Sequence, residues 1–173
     1  PLWAATGWKP MGSRRRALGS PTRVFFYKRD GREAAEEAIA RAIKETCSDW
    51  IVLAGFMRVL SPAFVRRFRG RIVNIHPALL PAFPGAHGIL DAWNAGVPET
   101  GVTVHLVDEE VDHGPILAQE RVRRAPDDTL ESLEAKIHAV EHQLYKRALK
   151  EFLEAHPIDI DQWEGEHDGK NGN

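Results

Sequence analysis

Apolar residues along the chain follow two rhythms. Trp50-Ile51-Val52-Leu53-Ala54 is a near-continuous apolar run, the mark of a strand covered on both faces. Arg71-Ile72-Val73 opens a second strand, which must end at His76. Beyond it Pro77, Pro81 and Pro84 cannot donate to a ladder and fix φ near about −65°. Thr22 to Tyr27 reads as a further strand, bounded by Pro21 and Asp30-Gly31. Residues 101–107 and 116–122 predict an antiparallel hairpin with a long acidic connection, Asp108 to Gly114. The other rhythm is helical. Ala35, Ala38, Ile39, Ala42 and Ile43 predict a helix from Arg32 to Thr46. A short helix starts at Ser61 or Pro62 and runs to Phe68, and another spans Ile89 to Ala95, closed by Gly96. Leu130, Leu133, Ile137, Val140 and Leu144 form the stripe of a long last helix, with Asp128 as its cap and Glu131 completing a capping box.

Strand 22–27, helix 32–46 and strand 50–54 make a βαβ unit, so the sheet should be parallel there, with an antiparallel edge from residues 101–122. Residues 1–17 read as an irregular N-terminal segment, because Gly7, Pro10, Gly12 and the Arg14-Arg15-Arg16 run break any apolar period. Residues 18–155 form the domain. From His156 onward Pro157, three glycines and mixed charge suggest a flexible tail, 156–173.

Composition narrows the function classes. The 173 residues are 43% hydrophobic and 28% charged, which fits one soluble globular domain. A formal charge of −2 gives no basic footprint for nucleic acid. No apolar run reaches the length of a membrane span. The single Cys47 fits a reducing compartment.

Asn74 and His76 are two apart, so on a strand they share a face, above a Pro-braced loop that runs to Gly88. An amide beside an imidazole at a strand end can serve a reaction; the plainer reading is a capped strand end. Gly55 to Leu60 leaves its strand at the carboxyl end, where open α/β sheets bind ligands. Asp112, taken alone, reads as a carboxylate capping a turn before Gly114. Met57 and Leu60, taken alone, read as core. His138 and Glu141 lie three apart on one helical face, either as a surface pair or as contacts for a ligand. His76, His87, His105, His113 and Asp112 show no metal-binding spacing, so no metal is expected, with His105 read as a packed histidine supporting others and His87 as a loop residue.

Four blocks in order, Leu53 to Arg58, Asn74 to Pro81, Asp108 to Pro115 and Glu141-His142, resemble the phosphoribosylglycinamide formyltransferase family over roughly Ala17 to Leu153. The resemblance implies a Rossmann-like formyltransferase fold, a mostly parallel sheet with an antiparallel edge, and a cis peptide at Leu80-Pro81. It implies formyl transfer from 10-formyltetrahydrofolate, as cosubstrate, to glycinamide ribonucleotide in purine synthesis. Asn74, His76 and Asp112 would be catalytic. Folate would contact Arg32, Met57, Arg58, Val59, Leu60, Asn74, Asp108, Glu109, Glu110, Val111 and Asp112. Pro77, His138 and Glu141 would hold the nucleotide. The partners would be small molecules, with no nucleic acid and no membrane, in a cytoplasmic monomer or homodimer. The chain departs from the family at Lys146, where Pro is frequent, and at its start. No strand and Gly-rich phosphate loop precede Gly12-Ser13, so the N-terminal βα unit is expected to be missing, with weak nucleotide binding as the consequence. Alternatives are an incomplete folate-binding fragment of the family, a formyltransferase acting on aminoacyl-tRNA, or a formyltetrahydrofolate deformylase.

Overall fold

The computed structural model describes residues 2–5 and 23–156. Five strands, β1 (Leu2–Ala5), β2 (Trp50–Leu53), β3 (Ile72–His76), β4 (Glu99–Leu106) and β5 (Ile116–Arg123), lie side by side in chain order. The pairings β1–β2 and β2–β3 are parallel, and β3–β4 and β4–β5 are antiparallel, so only β4 runs against the other four. The expected antiparallel edge is therefore present as the 99–123 hairpin.

Helices α1 (Tyr27–Asp30), α2 (Arg32–Glu45), α3 (Pro62–Arg67), α4 (Gly88–Asn94) and α5 (Leu130–Ala155) complete the chain. Two apolar layers sandwich the sheet. Ile51, Leu53 and Ile72 pack with Ala40 and Ile43 of α2 and Phe64 and Val65 of α3. Val73, Val102 and Val104 pack with Leu133, Ile137, Leu144 and Phe152 of α5. Ile72 and Val73 are neighbours in sequence, both fully buried, and belong to opposite layers. That is why β3 opens with two consecutive apolar residues.

Three expectations need correction. Residues 1–17 are not wholly irregular, since Leu2–Ala5 pair with Trp50–Leu53 and cover the flank of β2 where a gap was expected. Residues 23–26 form no strand, and Tyr27 begins α1; Thr22 lies outside the described residues. With β1 beside β2 that flank is occupied, and the Phe26 carbonyl instead accepts the Arg29 and Asp30 N–H groups and turns the chain into helix. Val24, 70% exposed, and Phe26, 48% exposed, have no sheet face to bury. The last helix is capped by Thr129, not Asp128. Thr129 Oγ1 accepts the Ser132 N–H, and Ser132 Oγ accepts the Thr129 N–H, so the capping box is shifted by one residue. Asp128 instead accepts hydrogen bonds from Lys136 Nζ, Ser132 Oγ and the Ala125 N–H, which hold its carboxyl down at about 2. The expected tail beyond His156, and Gly12-Ser13 with the arginine run, lie outside the described residues.

Candidate active site

β3 delivers Asn74 and His76 to the carboxyl end of the sheet, paired across β4 with His105 and Thr103. The Pro-rich loop beyond is fixed by one buried hydroxyl. Thr103 Oγ1 donates to Ala78 O at 2.7 Å and accepts from the Leu80 N–H at 3.0 Å. Gln119 Nε2 on β5 donates to Leu80 O at 2.9 Å and to Thr103 Oγ1 at 2.8 Å. The Leu80-Pro81 peptide is cis, as expected. Phe83 and Gly85 take left-handed conformations, with φ of 55° and 95°. The Phe83 carbonyl accepts from His76 Nε2 at 2.8 Å, and the Gly85 N–H donates to Asp112 Oδ2 at 2.7 Å.

Asp112 joins the two halves of the site. Its Oδ2 lies 3.4 Å from His76 Nδ1 and its Oδ1 lies 3.5 Å from His105 Nε2. Burial penalises the carboxylate, but the Gly85 N–H and the charge of the nearby His76 and His105 rings outweigh it, so its pKa falls below the usual carboxylate range. Asp112 is an anion held in a left-handed backbone, φ 54°, at the tip of the β4–β5 connection.

Hydrogen-bond valence assigns the histidine protons. A carbonyl only accepts, so His76 Nε2, against Phe83 O, carries hydrogen. His105 Nδ1, 2.8 Å from Leu106 O, does too. Each ring therefore turns its second nitrogen toward Asp112, and a proton there creates an imidazolium facing the carboxylate. Neutral His105 leaves a lone pair on Nε2, which accepts one N–H of Asn74 at 3.3 Å and so steers the other.

A cavity of about 750 Å³ opens over this group. Its lining includes Met57, Arg58, Val59 and Leu60, then Asp108, Glu109, Glu110, Val111 and Asp112, together with Asn74, His76, Pro77, His138 and Glu141. Met57, Val59 and Val111 are apolar yet 67%, 58% and 51% exposed, and form an apolar rim. His138 Nδ1 and Glu141 Oε2 pair at 2.6 Å. Arg32 is the sequence-derived site residue that does not line the cavity. It is exposed at the start of α2, near enough for its charge to act on the Tyr27 hydroxyl. Burial pushes that hydroxyl up to about 12. Arg58 stacks 4.8 Å from the centre of the same Tyr27 ring.

Several lining residues escaped sequence reasoning. Leu130 and Glu134 share the helical face of His138, a spacing readable in the sequence. Gly88 lies against the His76 ring, and His87 lines the cavity from the end of the loop. Neither contact has a sequence signal. His113 lies outside the cavity and pairs with Asp108 at 3.1 Å, which raises its pKa. Among the described residues no group of three or more His, Cys, Asp or Glu is arranged to hold a metal ion, and no helix is long and apolar enough to cross a membrane.

Residues 8–149 match the formyl transferase family. The chain belongs to that family. Among formyl transferases it is 40% identical over 141 residues to phosphoribosylglycinamide formyltransferase of Bacillus subtilis, covering 81% of this chain and 72% of the relative. It is 50% identical over 118 residues to the protein of that name from Mycobacterium tuberculosis, covering 68% and 55%. It is 49% identical over 132 residues to the trifunctional purine biosynthetic protein adenosine-3 of Drosophila melanogaster, covering 76% of this chain and 10% of that protein. The chain thus spans a tenth of the fly relative and about half to three quarters of the two bacterial ones. The phosphoribosylglycinamide formyltransferase structure from Bacillus halodurans superposes with a TM-score of 0.82 at 44% identity, over 88% of this chain and 79% of that one.

Proposed function

We propose that the chain transfers a formyl group from 10-formyltetrahydrofolate to the amine of glycinamide ribonucleotide, a step of purine biosynthesis in the cytoplasm. The observation that carries this reading is the Asn74–His76–Asp112 group beside a cavity with an exposed apolar rim. The cavity volume, about 750 Å³, suits a small-molecule ligand. The apolar side chains of Met57, Val59 and Val111 suit a flat heterocycle, and the Asp108–Asp112 backbone can read its polar edge. Pro77, His138 and Glu141 also line the cavity and are read as the contacts of the nucleotide. Similarity to proteins named phosphoribosylglycinamide formyltransferase supports the same substrates.

In this scheme the substrate amine attacks the formyl carbon, and the carbonyl oxygen gains negative charge. Asn74 donates an N–H to that oxygen, with its amide steered by His105. His76 takes up the proton lost by the amine and returns it to the folate nitrogen as the old C–N bond breaks. The Asp112 anion stabilises the imidazolium between these steps.

The test is direct. The chain is incubated with both substrates, and the products are followed by mass spectrometry. Formylated ribonucleotide and tetrahydrofolate should appear together and in equal amounts. Release of formate without ribonucleotide would identify a hydrolase and contradict the proposal.

A further inference from the structure

We propose that Tyr145 is a positioning residue for the candidate active site: its hydroxyl ends the β2–β3 ladder and holds the two strand ends apart where Asn74 and His76 reach the cavity. The inference rests on the role given above to Asn74 and His76.

The parallel register runs Ile51↔Ile72 and Val52↔Val73, then stops. One more step would pair Leu53 with Asn74 and make the Leu53 carbonyl an acceptor for the Ile75 N–H. Instead Leu53 O accepts the Tyr145 hydroxyl from α5 at 2.6 Å, with Val73 O 3.1 Å from the same phenol oxygen. A phenol has one hydrogen, so the shorter contact takes most of it. Burial pushes the Tyr145 pKa upward, so the group stays a donor. Beyond this point β2 leaves as the 54–60 loop, β3 continues to His76, and the cavity opens between them, lined by Leu53, Asn74, Ile75 and His76. Tyr145 does not line the cavity, and its ring packs with the α5-side apolar layer. Its hydroxyl sits behind the chemistry, at the fork.

Tyr145→Phe keeps the ring and removes the hydroxyl. Leu149→Ala, in the same apolar layer, is the control for helix packing alone. Without the hydroxyl the ladder can extend by one rung. The Ile75 amide should then exchange more slowly with solvent, and the Asn74 side-chain amide and His76 ring resonances should move. A displacement of a fraction of an ångström lowers kcat by roughly tenfold with KM little changed. Leu149→Ala should lower the melting temperature and keep kcat. The inference is overturned if Tyr145→Phe keeps wild-type kcat and leaves those resonances in place. It is also overturned if both variants lose kcat in step with melting temperature, since the role would then be structural. If the parent chain transfers no formyl group, the proposed function falls. The resonances still decide this point, since a shift upholds the fork and its absence removes it. Should Tyr145→Phe not fold, the parent protein serves. Its Tyr145 hydroxyl proton should exchange slowly and lie near Leu53 by NMR, and a fast-exchanging proton would overturn the inference.

Discussion

Gly88→Ala separates activity from stability. Gly88 opens α4, and a Cβ placed there falls 3.0 Å from His76 Nε2, 3.1 Å from His76 Cε1 and 3.2 Å from Phe83 O. Nonbonded heavy atoms settle near ~3.5 Å, so the imidazole must retreat by about 0.5 Å. That motion disturbs the 2.8 Å bond to Phe83 and the 3.4 Å approach to Asp112 together. The backbone at Gly88 is not left-handed, so alanine fits it. Within a helix alanine is favoured over glycine by up to about 1 kcal/mol, and by less at a first helical residue such as Gly88. A misplacement of ~1 Å costs about a hundredfold in rate, and half of that in free energy is about tenfold, or ~1.4 kcal/mol of barrier. Steady-state turnover at saturating substrate should therefore fall about tenfold, while calorimetry gives an unchanged or raised melting temperature. A folded Gly88→Ala chain with wild-type kcat would refute the claim that the position of the His76 ring limits the reaction.

Other consequences follow from the same geometry. A Cβ on Gly114 would sit 2.0 Å from Leu106 O, backbone against backbone, so Gly114→Ala should cost about 1–3 kcal/mol in urea unfolding or leave the hairpin unformed; a stable variant would contradict the packing. His105→Leu keeps much of the ring's volume but removes the partner of both Asn74 and Asp112. Losing one neutral hydrogen bond of ~0.5–1.5 kcal/mol should lower kcat roughly two- to tenfold, and an unaffected kcat would sink the steering role. The Asp128 carboxyl is depressed to about 2 in the fold. Its stabilising effect is thus present above the unfolded value of about 3.9 and lost as pH falls from there through the folded value. Melting curves of wild type and Asp128→Asn should therefore differ near neutral pH and converge in acid, and a constant offset would contradict the assignment.

Much of the site was legible because the chain spells it locally. Asn74 and His76 sit two apart on a strand that prolines must end, and no tertiary detail is needed to place them on one face. Asp112 was recognisable only through resemblance, because its partners Gly85 and His105 come from other elements. His105 reads as one more inward residue of β4, and its role depends on pairing opposite Asn74. The misread elements have physical causes. Residues 22–27 carry strand-forming side chains, but β1 fills the flank of β2 they would have needed. Asp128 and Thr129 are both good caps, and Ser132 favours Thr129 by returning its bond, while Lys136 engages Asp128. Four apolar residues, Leu2–Ala5, are too few to announce a strand ahead of the glycines and prolines that follow.

In the proposed function His76, held between Phe83 and Asp112, moves the proton in formyl transfer. The measurement that tests it most directly is the single-turnover rate of His76→Ala beside the unaltered chain, with binding of a folate analogue followed in parallel. The variant should fold, still bind the analogue and form no detectable formylated product. A variant that turns over at a rate near that of the unaltered chain would contradict it.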